Sequence, residues 1–436
     1  MKLVLSLLLG MGLLNFNSSF KKLYILYVFL GSYLFMSTSI INNSIWVKIN
    51  WIFSVDFYGL YLLIMSFWIM GIMELVKKDS LMQFMCLILM MSLLLSFGTL
   101  NMLILYFMFE FSLLPIFFLI QFKGYSYERF ESMMYMLFFT IIMSIPFMMV
   151  MMSMYNKLGS LMMVSLMNYS LNEVKLFFLL LMFLVKVPMF IIHIWLPKAH
   201  VEAPVYGSMI LAGVLLKLGT YGVLRMILLF YENIYFMSNY FIVISLVGGV
   251  MMSMYCLIQV DMKMLVAYSS IVHMMMLMGS MFTMSKLGLV GAYMMMIGHG
   301  LCSSGLFFIV NLSYIYSNSR LLMLNKGFMS VNSNLSLWWF LLCSSNFSAP
   351  ISLSLMGEML MLMSLYSWDL ILLPFLIMMS FFCSVYSLYL FSYTQHGELN
   401  YMLNKYMSVK VIDYLILFFH WFPLNMLFIG LGLFMV

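Results

Sequence analysis

Residues 184–204 read LVKVPMFIIHIWLPKAHVEAP and close an apolar run that opens near Leu176. The run has the length and composition of a membrane helix, yet Lys186 stands inside it with Pro188 two residues on. A charged side chain at the bilayer centre costs about 2.5–3.5 kcal/mol on insertion scales. Proline removes a backbone donor and clashes with the preceding turn. A segment that keeps both has a use for them.

Composition supplies the setting. Of 436 residues, 65% are hydrophobic and 8% charged, where a soluble domain carries about 25% charged residues. A core of this size cannot hide so much apolar surface from water, so much of it faces lipid. The charge total of +6, from 20 basic and 14 acidic residues, contains no run of like sign and no basic patch interleaved with aromatics. That argues against nucleic acid as a partner. The five cysteines, Cys86, Cys256, Cys302, Cys343 and Cys383, are far apart and lack C-x-x-C spacing. They read as buried thiols rather than zinc, iron–sulfur or disulfide ligands. Fifty-five methionines, beside Arg129, Arg225 and Arg320 as the arginines, exceed what packing requires. Animal mitochondria read an extra AT-rich codon as methionine, so this bias points to a mitochondrially encoded product.

Crossing ~30 Å of hydrocarbon takes about 20 apolar residues. Cutting at charged and Gly/Pro/Asn clusters gives segments near 2–14, 22–41, 56–76, 80–98, 100–121, 131–155, 174–195, 205–230, 237–259, 262–283, 285–315, 334–366, 370–394 and 411–435. Lipid offers backbone groups no partner, so the segments are helices, and the fold class is an all-α polytopic membrane protein with about fourteen spans. Met1–Leu14 lacks an A-x-A-like cleavage site and reads as a short first helix. The odd-numbered connections hold twelve basic residues, Lys77, Lys78, Lys123 and Lys198 among them, against six on the other side, Arg225 included. The excess puts the odd connections inside.

Lys186 and Lys217 are the basic residues placed deep within segments, and Glu110 (YFMFEFSLLP) and Glu358 (LSLMGEML) join them as carboxylates. Four such groups cost on the order of 10 kcal/mol. One reading is a Glu110–Lys186 ion pair that glues helices, although an apolar isostere is usually as stable. The other is a proton relay. Desolvation disfavours the charged form of either residue and a neighbouring opposite charge restores it, so a lysine whose carboxylate partner approaches and withdraws can load and release a proton. His299, in MMMIGHGLCSSG between two glycines, and Lys263, in VDMKMLVAYSS at the start of the tenth segment, are further candidates. His193 and His200 flank Pro197 and suit a polar access route better than a metal pair.

The seventh segment pairs Lys186 with Pro188, and the twelfth, in NFSAPISLSLMGE, pairs Glu358 with Pro350. Interrupted helices at matching positions mark transporters built from inverted repeats, with the ion site between them. Segments 4–8 and 9–13 form the two repeats. The expected division is 1–79 for helices 1–3, 80–231 and 232–395 for the repeats, and 396–436 for the last helix.

LVKVPMFIIHIWLPKAHVEAPVYGSMILAGVLLKLGTYG, QVDMKMLVAYSSIVHM and GHGLCSSGLFF resemble the proton-pumping antiporter-type subunits of respiratory complex I over nearly the whole chain. The resemblance implies fourteen helices, two inverted five-helix repeats with helices seven and twelve broken, and a line of charged residues across the membrane centre. Glu110, Lys186, Lys217, Lys263, His299 and Glu358 fall on that line. A glutamate at 358 marks one branch of the family, another having lysine there. Two departures stand out: Pro350 lacks the second proline common in relatives, and Gly219-Thr220 replaces a double glycine. The chain has no G-x-G-x-x-G fingerprint and no P-loop. By the resemblance it binds no cofactor itself; NAD, FMN, iron–sulfur clusters and ubiquinone belong to other subunits. Its partners are other membrane-arm subunits and lipid, its cargo is protons, and its location is the mitochondrial inner membrane. A component of a free-standing cation/proton antiporter and a structural membrane scaffold are the alternatives.

Overall fold

The computed structural model describes residues 54–76, 79–124, 126–167, 169–398 and 409–434, with the isolated positions 27, 30, 31, 47 and 48. The segments expected near 2–14 and 22–41 otherwise lie outside the described residues. A two-residue antiparallel pair, β1 (Val47–Lys48) with β2 (Ser54–Val55), precedes the helices.

Helices α1 (Phe57–Val76), α2 (Ser80–Phe97), α3 (Met102–Lys123) and α4 (Arg129–Leu158) follow in order. Then come α5 (Glu173–Lys186), α6 (Trp195–Glu202) and α7 (Val205–Leu229). The remainder are α8 (Tyr231–Ile258), α9 (Met262–Phe282), α10 (Lys286–Ser317), α11 (Ser333–Asn346), α12 (Leu353–Trp368), α13 (Leu370–Gln395) and α14 (Val411–Ile429). Ten helices among the described residues are long and apolar enough to cross a membrane. The chain is an all-α, multi-pass membrane protein.

Most ends fall within a few residues of the apolar cuts. The polar residues between runs supply the caps: Asn101 accepts from the Leu103 amide, Ser285 from Gly288 and Asn332 from Leu335. Side chains at these positions satisfy donors that the first turn leaves open.

Two segments are interrupted. α5 stops at Lys186, and turns occupy 187–194 before α6 begins. α11 stops at Asn346, and α12 begins at Leu353. Proline by itself does not break these helices, because α4 runs through Pro146 and α14 through Pro423. In each gap an isoleucine takes the left-handed conformation: Ile191 has φ 84° and Ile351 φ 72°. A β-branched residue is a genuine outlier there, so each gap is a built turn rather than a frayed end.

The chain folds as two compact units: Met1–Lys186 with Glu202–Ile234, and Val187–Val201 with Tyr235–Val436. In the first, α7 is buried along its whole apolar window, and α5 packs on α4 and α7. In the second, α10 is equally buried and packs on α9, α12 and α14. There α10 and α12 come very close: a Cβ on Gly291 would stand 3.1 Å from the Gly357 carbonyl and 2.8 Å from Leu360 Cβ. By contrast α4 exposes Phe138, Ile142, Ile145, Met149 and Met152. Their spacing of three and four keeps them on one face, the surface a bilayer covers.

Candidate functional site

In the first unit the end of α5 carries the site. The Lys186 ammonium is 2% exposed, donates to the Phe109 carbonyl at 2.6 Å and lies 3.2 Å from the centroid of the Phe109 ring. The last turn of a helix has open carbonyls and the negative end of its dipole, both favourable to a cation. Aromatic rings dry the surroundings: Phe109 meets Phe183 edge-on at 5.2 Å, Phe183 meets Phe147 at 5.7 Å, and Phe147 stacks on Tyr106 at 5.4 Å.

Glu110, next to Phe109, is near enough for its charge and that of Lys186 to influence each other. The ammonium nevertheless sits on the neighbouring carbonyl and ring, and Glu110 Oε1 is buried without a hydrogen-bond partner. Lys217 lies inside α7, fully buried, and donates to the Ala212 carbonyl at 2.7 Å. The Leu211–Leu215 stretch is a π-helical turn. A wider turn of this kind leaves carbonyls available off the usual ladder and is frequent at functional sites.

Also in this unit, Arg225 corrects an expectation. It is not in a connection but inside α7, 2% exposed, paired with Asp56 at 2.5 Å and bonded to the Tyr221 hydroxyl. Tyr221 in turn donates to the Phe97 carbonyl at 3.1 Å. The residues after it, Met226–Leu229, continue the same helix, and Asp56 neutralises the charge. Glu74 is a further buried carboxylate missed in the sequence; it accepts from Gln83 at 2.8 Å.

In the second unit the α11–α12 gap folds back so that the Ser348 hydroxyl donates to Glu358 Oε2. Glu358 Oε1 lies 3.5 Å from His273 Nδ1, a residue of α9 that sequence reasoning did not select. The His273 and His299 rings stand 5.5 Å apart. His299 and Glu358 are thereby brought together through His273. Beyond the imidazole, His273 Nε2 faces Cys383 Sγ at 3.6 Å and the Tyr386 hydroxyl at 3.4 Å.

Lys263 is ten residues before His273, about 15 Å along α9, and donates to the Val201 carbonyl at 3.1 Å. Arg320 shares that acceptor at 2.9 Å. His193 stacks on Phe190 and His200 on Phe307.

Fold and site together define a polytopic helical membrane protein in which each of two interrupted helices presents a buried ionisable group. Residues 99–384 match the family described as NADH:quinone oxidoreductase/Mrp antiporter, transmembrane. NADH-ubiquinone oxidoreductase chain 4 of Ceratitis capitata is 43% identical over 391 residues, 87% of each chain. The Aedes aegypti chain 4 is 42% identical over 424 residues, 92% of each. Among solved structures, a chain of respiratory complex I from Thermus thermophilus with bound NADH has a TM-score of 0.85 at 19% identity, covering 99% of this chain and 96% of that one. A chain of the Mrp complex from a Dietzia species has a TM-score of 0.83 at 12% identity, covering 91% of this chain and 80% of that one. These two show a shared fold. The chain belongs to the NADH:quinone oxidoreductase/Mrp antiporter family.

Proposed function

We propose that the chain is a proton-translocating membrane-arm subunit of NADH:ubiquinone oxidoreductase in the mitochondrial inner membrane, encoded in the organelle. One observation carries the reading: at the end of α5, Lys186 is held by the Phe109 carbonyl of α3, and the α11–α12 gap holds Glu358 through Ser348. The names of the relatives at 42–43% identity support the assembly it serves.

Glu110 and Lys186 load the proton, Lys217 relays it, and Lys263, His299, His273 and Glu358 form the exit arm. A protonated Lys186 is held by the Phe109 carbonyl and ring; deprotonation removes the charge assistance of that hold and loosens the amine to turn. His273, with one nitrogen on Glu358 and its ring beside His299, can accept on one side and donate on the other. The helices group as inverted repeats, 80–231 and 232–395, flanked by 1–79 and 396–436. The chain carries no redox centre. NAD, FMN, iron–sulfur clusters and ubiquinone are held by other subunits, whose electron transfer supplies the energy. Its neighbours are other membrane-arm subunits and lipid.

The test is Lys217→Met in the assembled complex. Proton uptake into inverted vesicles falls severalfold relative to NADH oxidation. Uptake per NADH equal to wild type in an intact complex rejects the relay.

A further inference from the structure

We propose that His273, Glu358 and Cys383 form a binding site for a thiophilic divalent cation of the zinc or cadmium class, which blocks the exit arm when filled. The effect on pumping rests on the relay reading; the binding does not. Three separate helices, α9, α12 and α13, bring the residues together, and one ligand atom from each lies within 4.8 Å of the others. The spacing suits an ion. A tetrahedral centre with bonds of about 2.0–2.3 Å sets its ligands roughly 3.4–3.7 Å apart. Here His273 Nδ1 and Glu358 Oε1 are 3.5 Å apart, and His273 Nε2 and Cys383 Sγ 3.6 Å. These contacts fall on opposite ring nitrogens, and an ion takes one of them. One ligand atom from each residue then lies within 4.8 Å of the others, and the partner on the far nitrogen closes in by up to about 1 Å to complete the shell.

A fourth ligand is at hand: the Tyr386 hydroxyl is 3.0 Å from Cys383 Sγ and 3.4 Å from His273 Nε2. Among the described residues, Glu358 has Ser348 and His273 as its partners and no lysine or arginine, so the group offers a carboxylate that a cation neutralises. One nitrogen, one sulfur and one oxygen select a borderline or soft ion over magnesium or calcium, which prefer all-oxygen shells. Coordination requires the thiolate, so the Cys383 proton is released as the ion binds. The bound ion then occupies the ligating His273 nitrogen and the Glu358 carboxylate, so neither can take up a proton there and the pair can no longer pass one on.

The test uses the assembled complex in native membranes with Cd2+ as the probe. Two quantities are read: inhibition of proton uptake per NADH, and the cadmium–sulfur signal in X-ray absorption of the purified complex. Cys383→Ala is expected to turn over normally without metal, to need at least tenfold more Cd2+ for half inhibition, and to lose cadmium–sulfur scattering relative to wild type. Cys383→Ser keeps the side-chain volume and gives the same result where alanine fails to assemble. Loss of the sulfur signal in the variant, with pumping insensitive to Cd2+ in wild type, keeps the site and removes the relay from it. Identical sulfur signals and identical Cd2+ sensitivity in wild type and both variants overturn the site.

Discussion

Lys186 ends helix α5 with its ammonium 2.6 Å from the carbonyl of Phe109, a residue 77 positions earlier, and 3.2 Å from that residue's ring centroid. Glu110 is the next residue along. The proposed loading pair is therefore organised around a neutral carbonyl and an aromatic face, with the carboxylate beside them. An ammonium over a ring gains about 0.5–2 kcal/mol. That is enough to hold the lysine and small enough for a moving charge to overcome.

Phe109→Ala removes the ring and keeps the carbonyl. Proton uptake per NADH is expected to fall about threefold to tenfold, while Phe109→Tyr stays near wild type, as measured by dye quenching in inverted vesicles. Equal coupling in the two variants counts against a role for the ring.

The Asp56–Arg225 pair is structural. Removing one partner of a buried pair strands the other charge at about 3–5 kcal/mol. Asp56→Asn is expected to cut the amount of assembled complex sharply on native gels. The Asp56→Asn, Arg225→Met double variant recovers much of it and keeps its protons per NADH. A double variant that assembles but pumps poorly would place the pair in the relay.

Ile191 and Ile351 occupy a backbone region costing about 1–2 kcal/mol for a residue with a side chain, and both are largely exposed. Glycine removes that strain and adds about 0.5–1 kcal/mol of unfolded-state freedom. Ile351→Gly is therefore expected to leave the melting temperature of the complex unchanged or slightly higher. A drop of several degrees would show that the turn is not strained.

Gly291 lies where α10 meets α12, against Gly357, Leu360 and Met361, which bracket Glu358. Alanine there pushes its Cβ against Leu360 and the Gly357 carbonyl, an overpacking worth about 1–3 kcal/mol. Gly291→Ala is expected to lower coupling more than NADH oxidation, because the shift falls on the residue beside Glu358. Wild-type uptake per NADH in this variant would show that the contact is slack.

Much of this was legible in the sequence because lipid enforces helices: apolar runs bounded by polar caps gave the spans, and a charge beside a proline marked both gaps. Run length could not show where a helix stops inside an apolar segment. That depended on left-handed turns at Ile191 and Ile351, which no composition signals. Arg225 was misplaced because it stands close to the end of its run, and hydropathy cannot see Asp56 folding onto it. His273 escaped because a lone histidine among methionines reads as packing. Yet it met the same test as Lys186, an ionisable group in mid-segment, and Ser269 and Ser270 lie a turn before it.

The most direct measurement is the number of protons moved per NADH oxidised in complexes carrying Lys186→Met, with assembly verified on native gels. A lysine that loads the relay gives a variant with fewer protons per NADH and slowed ubiquinone reduction. An intact variant with the wild-type number contradicts the assignment of Lys186.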